Sequence, residues 1–106
     1  MITDGPLAYL PGGELLDRGL RDVRRGVRSV PALLVAMAWP RLSALGMLER
    51  ADVEAVRVEG EDLEITAYRL LSEELGLEAH ARLSALSAEL DSGLSALERE
   101  RRLRGT

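Results

Sequence analysis

The stretch from Glu78 to Leu103 constrains the fold more than any other part of this 106-residue chain. Ala79, Leu83, Leu86, Leu90, Leu94 and Leu97 follow one another at intervals of three or four, the spacing that lines up side chains on one face of an α-helix. The tetrad Leu-Ser-Ala-Leu occurs at 83–86 and again at 94–97. An 11-residue period of that kind describes a nearly straight helix with a slight right-handed drift. Beside the leucines runs a row of small residues, Ser84, Ala88, Ser92 and Ala96, which would let another helix approach closely. Gly93 costs about 1 kcal/mol inside a helix. The helix therefore either breaks at Asp91-Ser92-Gly93 or has something packed tightly against it.

Length gives this helix a further consequence. Continuous over 78–103 it would measure about 39 Å at 1.5 Å per residue, whereas a compact domain of this size has a diameter of about 34 Å. It must span the body or project beyond it. A projecting leucine stripe needs a cover, and the simplest cover is a second copy of the same chain. Leu83, Leu86, Leu90, Leu94 and Leu97 are the residues expected to carry that contact, in a homodimer or with a helix of another protein.

Upstream, Gly5, Pro6, Pro11 and Gly12 surround Leu7, Tyr9 and Leu10, so residues 1–12 read as an extended arm laid on the body, ahead of a single helical domain at 13–106. A first helix should begin near Gly13–Glu14 and stop at Gly26, with Leu16, Leu20, Val23 and Val27 on one stripe and Arg18, Arg21, Arg24, Arg25 and Arg28 on the adjoining face. Ser29 can cap a second helix whose first turn holds Pro31. Ala32 to Ala38 is apolar all round, the pattern of a central buried helix. Trp39-Pro40 forces a bend, after which a short helix should end at Gly46.

Residues 53–66 allow two readings. Val56-Arg57-Val58 and Leu63-Glu64-Ile65 alternate around Gly60, which suits a short β-hairpin. Asp52 and Asp62, however, each precede apolar residues at helical spacing, so 62–75 is expected as helix with Gly76 as its stop. The expected class is thus all-α: a small bundle around a buried central helix, closed by a helical hairpin of 62–75 and 78–103.

Composition enters through what it excludes. There is no cysteine, which removes disulfides, thiolate metal sites and cysteine nucleophiles. All 14 basic residues are Arg, so Schiff-base and P-loop lysine chemistry are absent too. Missing Lys, Asn and Gln point to GC-rich coding and a bacterial source. With aromatic residues at 3%, the platforms that usually stack single-stranded nucleic acid are missing. The longest apolar run, Val30 to Pro40, is far shorter than the roughly 20 residues a bilayer needs. No basic leader precedes it, and a cytoplasmic location is expected without membrane attachment.

Charge is uneven. Residues 1–50 carry +2, residues 51–98 carry −9 and residues 99–106 carry +3. Arg24, Arg25 and Arg28 have no acid four residues upstream, which makes them the candidate contacts to an anion or nucleic acid, as in a winged-helix-like regulator. An acidic whole chain argues against that alternative, because counterion release needs a basic surface. Glu14–Arg18, Asp17–Arg21, Glu98–Arg102 and Glu100–Arg104 are spaced for ion pairs along their own helices. Glu59, Glu61, Asp62 and Glu64 lack the spacing of a calcium loop, and His80 is the lone histidine. No serine lies in a G-x-S-x-G elbow and no phosphate-binding glycine motif is present, so neither catalysis nor a cofactor is expected. The expectation is protein–protein association, as a homodimer or as an adaptor.

Overall fold

A computed structural model describes residues 5–105 and contains six α-helices: α1 (Gly13–Arg24), α2 (Val30–Met37), α3 (Trp39–Ala44), α4 (Arg50–Val56), α5 (Leu63–Leu75) and α6 (Ala79–Arg104). A single 3₁₀ turn, Gly76–Glu78, joins α5 to α6 and closes the expected hairpin. The architecture is all-α, and no strand occurs among the described residues.

The centre is α2. Its residues Ala32 to Ala36 are all buried, enclosed by α1, α4, α5 and α6. Ser29 caps it, the hydroxyl oxygen accepting from the Ala32 amide at 3.2 Å, with Pro31 in the first turn, where a missing amide hydrogen costs nothing. Helices α1 and α2 approach closely at Gly19 of α1. A Cβ there would lie 2.3 Å from Val35 Cγ2 and 2.5 Å from the Pro31 carbonyl oxygen, so glycine is what lets α1 and α2 touch.

Three sequence expectations need correction. The β-hairpin at 53–66 does not form: Val53 and Val56 are buried on α4, and Leu63 and Ile65 open α5. Capping explains the outcome, since the Asp52 carboxylate accepts the Glu49 amide at 3.0 Å and so closes the first turn of α4. Within the described part of the expected arm, residues 5–12 are not extended but form successive turns, with Ala8, Leu10 and Gly13 amides donating to carbonyls three residues back. The Leu7 amide donates to Asp17 Oδ2 at 2.8 Å, and the Leu7 side chain is buried. Residues 1–4 of that arm lie outside the described residues. Val27 does not belong to the packed stripe of α1: Gly26 at φ +71° turns the chain away, leaving Val27 exposed.

For α6 the structure decides between the alternatives the sequence left open. The helix runs unbroken through Gly93, where a Cβ would stand 2.9 Å from the Pro11 carbonyl oxygen, so tight packing rather than a break accounts for the glycine. The molecule measures 45 × 28 × 27 Å and is longer than a sphere of its volume. From Leu83 to Leu97 α6 is packed on the core, so it spans the body along its long axis, with residues 101–105 exposed at the end.

Candidate functional site

Because α6 spans the body, its leucines are spent on the chain's own core. Leu83, Leu86, Leu90 and Leu94 are buried against the helices beneath them, and Leu97 is half-buried at the same core. The stripe expected to meet a partner is therefore not available as a docking surface. What α6 presents outward is Ala81, Ser84, Ala85, Ser87, Ala88 and Ser92, all exposed.

Next to that outward face the hairpin opens a groove of about 540 Å³ between α5 and α6. Ile65 and Tyr68, one helical turn apart on α5, form one wall; Leu83 lies at the bottom and His80, Ser84 and Ser87 form the other wall. Ile65 is 54% exposed and Tyr68 43%; Leu77, Leu103 and Tyr9 are more exposed, but Ile65 and Tyr68 are neighbours on one helix face and line an open groove. They stand out because the core side of α5 is taken by Thr66, Ala67 and Leu71, leaving its adjoining flank uncovered. A second depression of about 250 Å³ begins at Ser87 and continues along α6 to Leu94, walled by Met37 and Ala38 of the α2–α3 bend.

The far end of this surface is fixed by Arg41 of α3. Its guanidinium donates to Glu98 through Nε at 3.0 Å and Nη2 at 2.7 Å, and to Asp91 through Nη1 at 2.6 Å. Ser95 Oγ accepts a further, longer bond at 3.3 Å. Hydrogen bonding to Arg41 holds the Glu98 carboxyl below its ordinary value, and the same bonds raise Arg41 further into its charged range. Glu98 therefore pairs across helices rather than with Arg102, as its spacing had implied. Glu100 does pair with Arg104, at 3.4 Å, and also accepts the Tyr9 hydroxyl at 2.6 Å, a bond that raises the phenol.

The arginine candidates divide differently from their sequence grouping. Arg24 donates to the Met47 carbonyl at 2.7 Å, and Arg28 donates to the Val56 carbonyl at 2.8 Å, where it caps the end of α4. Both guanidinia thus fasten the α3–α4 region to the end of α1 and the segment after it, and among the described residues Arg25 makes no bond of this kind. The expected pairs Glu14–Arg18 and Asp17–Arg21 are not among the ion pairs of the described residues; Asp17 serves Leu7 instead. In the acidic turn, Glu61 accepts from the Thr66 hydroxyl and from Arg69, which lower its carboxyl. No group of three acids or histidines suited to a metal ion occurs among the described residues. None of their helices is long and apolar enough to cross a membrane.

Comparison with protein-family models gives no match to this chain, and comparisons with curated proteins and with solved structures give none either.

Proposed function

We propose that this protein acts by helix-mediated association with another copy of itself, through the outward side of the α5–α6 hairpin and without chemistry of its own. The observation that carries this reading is the pair Ile65 and Tyr68, two large side chains left about half exposed beside an open groove. Their exposure persists although the same helix buries Ala67 and Leu71 fully or nearly so. Apolar groups of that size are stable in water only at a cost of roughly 25 cal/mol per Å² of exposed area, which association recovers. Opposite them, Ser84 and Ser87 carry no charge that docking would have to strip of water, and the groove's one carboxylate, Glu64, is exposed at its edge.

Light scattering over a concentration series tests the reading, with Tyr68→Glu as the comparison. Tyr68 is exposed and makes no hydrogen bond among the described residues, so the variant should fold and melt as the parent does when both are dilute. The expected result is twice the chain mass for the parent and a shift toward the single mass for the variant. A parent that stays at the single mass throughout the series sinks the proposal, as does a variant that associates as strongly as the parent.

A further inference from the structure

The hairpin's charges say how two copies would lie, on the premise of the association proposed above. The outward face of α6 is flanked on one edge by Arg82 and Glu89, seven residues and two turns apart. Both are exposed, and neither takes part in an ion pair among the described residues. Opposite charges at that spacing on one edge of a helix are self-complementary only in the antiparallel sense. A two-fold axis at the height midway between Ala85 and Leu86 interleaves Ala81, Ala85, Ala88 and Ser92 with the same residues of the second copy. The same axis brings Arg82 beside Glu89 of the second copy and, by symmetry, Glu89 beside Arg82 of the second copy. A parallel pair puts identical residues at equal heights and offers Arg82 no acid on its own edge.

We infer that the face around Ala88 on α6 is covered by the same face of a second copy running antiparallel, held in register by two Arg82–Glu89 pairs. The small side chains at the seam let the two helix axes approach closely, and the α5 wall of Ile65 and Tyr68 then reaches over the opposing α6. Farther out, the same register carries the exposed Arg99 and Arg102 of each α6 toward the hairpin tip of the other copy, where Glu74 and Glu78 are exposed. Each basic end then lies just past an acidic tip, an arrangement in keeping with the division of the chain into segments of −9 and +3.

Charge exchange tests the register on the full-length chain. Arg82→Glu sets Glu against Glu at both sites, and Glu89→Arg sets Arg against Arg, so each variant alone should dimerise at least tenfold more weakly than the parent. Mixed in equal amounts, the two variants restore both opposite-charge pairs and should form a heterodimer of parental affinity, detected by light scattering or native mass spectrometry. Circular dichroism melts of each variant at low concentration establish that it is folded, since both side chains are exposed. If the single variants dimerise like the parent, or the mixture regains nothing, the antiparallel register is wrong. That outcome is separable from failure of the association itself, which the parent's mass and the Tyr68→Glu variant report.

Discussion

Alanine at Gly19 or at Gly93 would gain about 1 kcal/mol of helix propensity, and at each position the neighbouring backbone decides whether the gain survives. At Gly19 the new methyl meets Val35 Cγ2 at 2.3 Å and the Pro31 carbonyl at 2.5 Å, both belonging to the central helix α2, whose residues Ala32 to Ala36 are buried. Neither side can give, so Gly19→Ala should lose about 1–3 kcal/mol net, seen as a melting temperature lower by about 5–15 °C. At Gly93 the methyl meets the Pro11 carbonyl at 2.9 Å, and Pro11 lies in a surface turn able to shift. Gly93→Ala should stay within about 1 kcal/mol of the parent, with Tyr9 separated from Glu100 as the turn moves. Equal melting temperatures for the parent and Gly19→Ala would mean that α1 and α2 do not cross so closely. Only one of these glycines could be read from the chain. Gly93 interrupts a leucine period strong enough to make any break conspicuous, whereas Gly19 sits among arginines and its contact belongs to a helix more than ten residues away.

At the scale of elements, what was legible was what is local. The Ser29 cap, the start of α5 after Asp62, whose side chain makes no capping bond, the stops Gly26, Gly46 and Gly76, the bend at Trp39-Pro40 and the α5–α6 hairpin each follow from neighbours within one or two turns. The alternation at Val56–Val58 and Leu63–Ile65 imitated strands because each run straddles a helix end, where three residues cannot distinguish a period of two from one of 3.6. Long-range pairing was not legible: nothing near Glu98 announces Arg41, and Arg102 four residues on is the partner a local rule selects. The Arg41 clamp has a pH signature. The folded carboxyl of Glu98 titrates below its unfolded value of 4.5, so its contribution is complete above that value and is lost as pH falls through the folded one. Stability should therefore decline on acidification below about pH 5, and Glu98→Gln should flatten part of that decline. With both partners about a third exposed, the loss at neutral pH should be about 1 kcal/mol. Denaturant melts of parent and variant from pH 7 to pH 3 check this; parallel curves would show that Glu98 is not the group responsible. Leu90, by contrast, is 4% exposed, and Leu90→Ala should cost about 2–5 kcal/mol whether or not the chain associates.

For the whole molecule, the length of α6 was read correctly and its setting was not. Comparing about 39 Å with the diameter of a sphere assumed a round body, while packing five shorter helices with one long helix produces an elongated body of 45 × 28 × 27 Å. The inference that a partner is needed survives only by moving from the leucine stripe to the opposite face and to the α5 flank, and overall shape offers an independent check on it. The Cα radius of gyration is 13.8 Å for one chain. Two copies joined side by side across α6 have centres separated by about one short axis, 28 Å, and combining that offset with the single-chain value gives a dimer radius of gyration of about 20 Å. End-to-end association through the hairpin tip or the arginine-rich terminus separates the centres by about the long axis, 45 Å, and gives about 26 Å. The two arrangements have identical mass and differ by nearly a third in radius of gyration, which small-angle X-ray scattering resolves. Dimeric samples should give the smaller value, falling toward the single-chain value in Tyr68→Glu. A dimer near the larger value would place the contact at the ends of the molecule and remove α6's outward face from the interface.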